Sequence, residues 1–214
     1  MKVISTNIAQ PQEIQWRGKK IQTGIYKKTV HEGIFLGKEE VTNDTVVDRK
    51  HHGGEYKSCY MFGANYYEDW KKKYPSLDWE WGMFGENLTI DSLDENLLQI
   101  GAVYELGEAL VQITEPRQPC FKLGIKFGTQ SVIKEFLEYG HPGTYVKILN
   151  EGSVVKGDTL ILKETGPNAL TVMQYNDLVN QKEKDKKLLA LALANDCIRT
   201  ENRERYKKYE SKHP

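Results

Sequence analysis

Long apolar runs are missing from this chain of 214 residues, and so is any imbalance of charge: Lys plus Arg number 30 and Asp plus Glu also number 30. No stretch approaches the roughly 18 apolar residues of a membrane span. Zero net charge leaves no global field that would draw the protein to nucleic acid or an anionic membrane, so neither is expected as a partner and an anionic ligand must be met by local charge. The first residues, Met1-Lys2-Val3-Ile4-Ser5-Thr6-Asn7, lack the uncharged apolar core of an export signal, and a cytoplasmic location is expected. Cys59, Cys120 and Cys197 are an odd number of cysteines set far apart, which argues against a disulfide framework and for reduced thiols. Neither a CxxC pair nor an HExxH segment occurs, so no ordinary zinc site is expected, and haem, flavin and iron–sulfur motifs are missing too.

What is present suits a core of strands and short helices, with 12 tyrosines and four tryptophans as bulky apolar bodies. As far as about Leu162 the chain reads as short alternating segments broken by glycine. Residues 101–113 predict a hairpin turning at Gly107, with Ala109, Val111 and Ile113 on one face. A second hairpin is expected between residues 144–149 and 159–162, and helices at 64–74 and 131–139. Many short strands at regular spacing suggest a barrel. After Gly166-Pro167-Asn168 the period becomes helical, with Thr171-Val172-Met173-Gln174 readable as a capping box. The expected division is therefore a β-barrel domain at 1–165 and a small helical domain at 166–214. From Gln181 onward ten Lys/Arg stand against six Asp/Glu, a pattern that reads as a solvated helical face.

The segment Glu115-Pro116-Arg117-Gln118-Pro119-Cys120-Phe121-Lys122 is the most informative. It follows a strand directly, and Pro116 and Pro119 cannot donate ladder hydrogen bonds, so the backbone leaves the sheet in a stiff path that presents Cys120 at a rim. Cations near a thiol favour the thiolate, the form that acts as nucleophile or soft metal ligand, and Arg117 and Lys122 are close in sequence. The same cations suit a phosphate. A lone cysteine is more often a small buried hydrophobe, the reading given to Cys59 and Cys197.

Two further segments are candidates. In Asp48-Arg49-Lys50-His51-His52-Gly53-Gly54, adjacent glycines let backbone N–H groups approach an anion, and the histidines are candidate proton donors; Gly-Gly is also an ordinary turn. In Gly82-Met83-Phe84-Gly85-Glu86-Asn87-Leu88, Glu86 and Asn87 are placed to orient a ligand or a histidine, or simply to satisfy turn backbone.

The order His52-Gly53-Gly54, then Phe84-Gly85-Glu86-Asn87-Leu88, then Glu115-Pro116-Arg117-Gln118-Pro119-Cys120 resembles the MOSC domain, specifically its YiiM-like bacterial branch. The resemblance covers roughly residues 33–162, and the tail is similar to the three-helix domain that follows in this branch. It implies a mainly β, MOSC-type barrel with a few short helices, whose cysteine, here Cys120, ligates molybdenum in a pterin cofactor or carries sulfur. On that resemblance Arg117, Lys122, Gly53, Gly54, Glu86 and Asn87 are cofactor-binding candidates, and Cys120, His51 and His52 catalytic ones. Asn43 stands where the family often has glycine before Asp44; Asn tolerates left-handed backbone.

The leading expectation is a molybdenum-cofactor-dependent reductase of small N-hydroxylated compounds, such as hydroxylaminopurines, fed by a separate reductase. Two alternatives stay open: a sulfur carrier with a Cys120 persulfide, and a non-catalytic cofactor-binding or storage module. No lysine can be singled out for a pyridoxal phosphate Schiff base, and that cofactor is not expected.

Overall fold

The computed structural model describes residues 1–213. Its strands are β1 (Val3–Ile8), β2 (Gln12–Trp16), β3 (Lys19–Thr23), β4 (Lys28–Val30), β5 (Ile34–Leu36), β6 (Cys59–Gly63), β7 (Leu88–Ile90), β8 (Val103–Leu106), β9 (Ala109–Pro116), β10 (Thr144–Asn150), β11 (Gly152–Val154) and β12 (Ile161–Glu164). The helices are α1 (Arg49–His52), α2 (Tyr67–Lys73), α3 (Phe121–Lys126), α4 (Ser131–Tyr139), α5 (Val172–Asn180), α6 (Lys186–Ala194) and α7 (Thr200–Lys212).

Eight strands form one sheet in the order β12-β8-β9-β10-β6-β7-β1-β4, antiparallel except where β6 runs parallel to β7. The sheet curls back on itself. Val3 N–H donates to the Asp158 carbonyl at 2.8 Å and Leu160 N–H to the Met1 carbonyl at 3.0 Å, so the segment leading into β12 lies beside the start of β1. The protein is thus a mainly β, barrel-like fold with short helices at its margins.

Side-chain alternation gives each strand two duties. Cys59 and Met61 of β6, with Val146 and Ile148 of β10 and Val111 and Ile113 of β9, fill the interior. Tyr60 and Phe62, with Tyr145, point to the other face, where Tyr67 and Trp70 of α2, Phe84, Phe127 and Phe136 of α4 build a separate aromatic layer. Its rings pack closely, with Phe62 and Phe84 centroids 4.3 Å apart. The candidate site lies on this outer, aromatic face.

The hairpin of β8 and β9 turns at Gly107 with Leu106 opposite Ala109, and α4 spans the expected residues. Thr171 caps α5 reciprocally with Gln174. Leu170, Val172, Tyr175, Leu178, Leu189, Ala192, Ile198 and Tyr206 from the helical segment are continuous with the barrel interior. At about 1.5–3 kcal/mol for each large apolar side chain fully buried, such packing fixes the helices to the barrel.

The expected hairpin between residues 144–149 and 159–162 is corrected. β10 pairs with β6 and β9, whereas β12 pairs with β8. The intervening Gly152 is no turn glycine: it sits in β11, which pairs with β5 and crosses the β8–β9 turn so closely that a Cβ at Gly152 would lie 2.5 Å from the Glu108 carbonyl carbon. With both edges of β10 already occupied, β12 takes the free edge of β8. The short helices α1 and α3 were not anticipated, because one helical turn gives too few residues for a 3.6-residue period to show.

Candidate functional site

β9 ends at Pro116, which lies opposite Thr144 of β10, and residues 117–120 then run to α3. Cys120 stands in extended conformation immediately before that helix and is half-buried. It opens into a solvent-connected pocket. Arg117 and Lys122 flank the thiol; His52 and Lys57 come from the chain before β6; Tyr60 and Tyr145 form the sheet face; and Ile25, Lys27 and residues 44–48 make the opposite wall.

Arg117 is the most informative side chain. It is 4 % exposed, its guanidinium carbon lies 5.2 Å from the Tyr60 ring centroid and 5.7 Å from that of Phe136, and its Nη1 is buried with no hydrogen-bond partner among the described residues. A buried cation ordinarily has a carboxylate beside it, because leaving water costs several kcal/mol. Here the aromatic faces offer cation–π attraction, and the residue lines the pocket, where its charge is available to an anion. Gly85 stands beside it in the wall at φ +83°, a backbone conformation that favours glycine.

His52 lies between Tyr145, whose hydroxyl is 3.3 Å from His52 Nδ1, and these cations. Burial, with the charges of Arg117, Lys57 and Lys122, lowers its pKa to about 4, so the imidazole is neutral near pH 7. Burial raises the Tyr145 hydroxyl to about 12, and it is present as the phenol. The hydrogen bond between them therefore holds one exchangeable proton at the wall. Lys57 donates to the His51 carbonyl at 2.6 Å and pairs with Glu115 at 3.2 Å.

Opposite, Asp44 accepts from Lys27 in a buried ion pair and from Asn87 Nδ2 at 2.8 Å, while its other oxygen accepts the Ala9 N–H at 2.8 Å. Asn43, at φ +64°, makes the turn that delivers it, the conformation that Asn tolerates among non-glycine residues.

The fold thus brings together Cys120, Arg117, Lys122, His52 and Asn87. It does not bring in the other candidates. His51 is exposed and bonded to Asp48 at 3.0 Å. Gly53 caps α1 by donating to the Arg49 carbonyl at 3.1 Å, and Gly54 forms the following turn at φ +88°; neither lines the pocket. Glu86 is fully buried behind its wall, accepting from Tyr67 Oη, from the N–H groups of Gly82 (2.8 Å) and Phe84 (3.1 Å), and from Thr89 Oγ1 at 2.9 Å. Sequence reasoning passed over Tyr60, Tyr145, Lys27 and Asp44. The signal for the tyrosines is their register, opposite each other on β6 and β10, and only the pairing of the strands reveals it.

The fold is a barrel-like, mainly β one that places a cysteine and a buried arginine on the loop leaving a strand. Residues 48–161 match the MOSC domain model, and this chain belongs to the MOSC family. MOSC domains are associated with binding of the molybdenum cofactor. The Bacillus subtilis protein YflK is 35 % identical over 197 residues, 90 % of this chain and 89 % of that protein. A protein of Gibberella moniliformis named reductase is 29 % identical over 177 residues, 81 % of this chain but 31 % of its own length. The crystal structure of YiiM from Geobacillus stearothermophilus superimposes with a TM-score of 0.80 at 26 % identity, covering 97 % of each chain. Among the described residues no helix is long and apolar enough to cross a membrane.

Proposed function

We propose that this protein reduces N-hydroxylated compounds, using a molybdenum–pterin cofactor held between Cys120 and Arg117 and electrons from a separate reductase. The observation that carries the reading is the buried, unpartnered guanidinium of Arg117 beside the Cys120 thiol in one pocket. A soft thiolate ligand and an anion-binding cation are what a metal carried by a phosphate-bearing pterin requires of its host.

Bound there, the cofactor supplies the two-electron redox chemistry and oxygen transfer. The chain's own residues do the rest. Cys120 ligates, and Arg117 with Lys122 meets the phosphate. Tyr145 and neutral His52 present a proton at the wall, and Ile25, Val46 and Tyr60 offer apolar faces to a planar nitrogenous substrate. The reductase-named relative supports the redox reading.

Metal analysis of protein purified from a host that makes the cofactor tests this. About one molybdenum per chain, lost in Cys120→Ser, is the expected result, with conversion of a hydroxylaminopurine once an electron-donating reductase is added. Absence of molybdenum would overturn it, and a Cys120 persulfide formed with a cysteine desulfurase would replace it with the sulfur-carrier reading.

A further inference from the structure

The pocket is held from outside the matched domain. Residues 48–161 carry Cys120, Arg117 and His52, yet the stretch 117–120 has no strand partner beyond the Pro116–Thr144 register. Two side-chain ties in and beside it lie on the helical segment. Arg199, just before α7, donates from Nη2 to Glu115 Oε1 at 2.8 Å, and Gln118 Nε2 donates to Asn176 Oδ1 of α5 at 3.3 Å. Glu115 and Gln118 straddle Pro116 and Arg117, so both ends of the arginine's backbone are tied to the helices.

Arg199 also reaches the second segment that lines the pocket. Its guanidinium carbon lies 5.1 Å from the Tyr56 ring centroid, and the Tyr56 carbonyl accepts from Thr114 Oγ1 at 2.7 Å. Glu115 Oε1 also receives Lys57 at 3.2 Å, and Lys57 Nζ sits 5.5 Å from the Tyr145 ring centroid. One carboxylate thus joins a cation of the helical segment to a cation of the pocket wall. The Arg199 and Glu115 side chains are 25 % and 13 % exposed, so solvent screens the pair less than a surface ion pair.

We infer that Arg199 is a positioning residue for the pocket, holding Glu115 and through it the Arg117–Cys120 loop and Lys57. The inference rests on this pocket being the functional site, but not on which cofactor fills it. Sharing Glu115 between two cations also leaves Lys57 incompletely neutralised at the wall. Arg199 therefore contributes to anion binding without touching the anion. Its Nε is buried without a partner and Nη2 alone meets Glu115, so a lysine at this position can reproduce the contact.

The experiment uses the full chain carrying Cys197→Ser, so that Cys120 is the one accessible thiol beside the fully buried Cys59. The rate of Cys120 alkylation by iodoacetamide, and its protection by inorganic phosphate, are compared in the parent, Arg199→Ala, Arg199→Lys and Glu115→Gln. Arg199→Ala and Glu115→Gln are each expected to change the alkylation rate about threefold or more, with their double variant adding little further, while Arg199→Ala also raises the half-protecting phosphate concentration about fivefold. Arg199→Lys should stay within about twofold of the parent. Parental rates and protection in both Arg199→Ala and Glu115→Gln would overturn the inference, as would a lysine variant no better than alanine. If phosphate fails to protect even the parent, the anion-site reading of Arg117 fails, and the alkylation rates alone still decide the role of Arg199.

Discussion

Arg117 lies against the ring of Tyr60, 5.2 Å from its centroid, and no carboxylate stands within ion-pairing distance of it among the described residues. An uncompensated buried charge destabilises a fold, and replacing it with an apolar side chain of similar length removes that penalty. Arg117→Met in the cofactor-free protein should therefore raise unfolding free energy by about 1–3 kcal/mol, read from urea titration, while the same variant loses molybdenum on purification. A destabilised Arg117→Met would mean that the guanidinium has a structural partner after all.

His52 gives a pH dependence of definite sign. Its pKa falls to about 4 in the folded protein, mainly through burial, against a usual imidazole value near 6.5. A depressed histidine binds its proton more readily in the unfolded chain. Its stabilising contribution is thus fully present above about pH 6.5 and is lost progressively as pH falls toward 4. His52→Gln should lose less stability than the parent between these limits, by up to about 3 kcal/mol at pH 4. Parallel stability curves for the two proteins would contradict the burial argument.

The site was legible in the sequence where chemistry and covalent geometry coincide. Pro116 and Pro119 bracket the exit from β9, and the cysteine and arginine between and beside them carry recognisable chemistry. It was not legible where long-range pairing decides. Tyr145 meets His52 across 93 residues, and Arg199 meets Glu115 across 84, distances over which local pattern carries no information. The glycine pair and Glu86 show the converse. Their motif is visible in sequence, but Gly53 caps a single helical turn and Glu86 satisfies backbone behind the wall. In the barrel, period-2 alternation identified the faces of β9, whereas the partner of β10 depended on Gly152 lying against Glu108 rather than turning the chain.

Glu86 invites a direct test of that structural role. Its two oxygens accept from Tyr67, Gly82, Phe84 and Thr89, and the side chain is inaccessible to water. In Glu86→Gln one oxygen becomes an NH2 group facing donors, leaving buried groups unsatisfied and the loop before β7 loosened. A loss of about 2–4 kcal/mol is expected by chemical denaturation, far above the effect of an exposed substitution. Full stability in Glu86→Gln would show that water or backbone movement replaces the carboxylate.

Gly53 and Gly54 separate two reasons for needing glycine. Gly53 has ordinary extended backbone, at φ −127°, but a Cβ there would lie 2.9 Å from Arg49 Cα. Gly54 has open space around it, yet stands at φ +88° and ψ 170°, a region essentially restricted to glycine. Gly54→Ala should accordingly cost about 1–3 kcal/mol through backbone strain alone. For the same reason Gly54→Asn should restore little, because asparagine tolerates the left-handed helical well and not this extended positive-φ region. Gly53→Ala should cost a similar amount through contact with α1, and shortening Arg49 to alanine should not relieve it, since the nearest atom is backbone. Thermal unfolding of these variants distinguishes the cases, and a Gly54→Ala protein of parental stability would show that the turn relaxes to negative φ without strain.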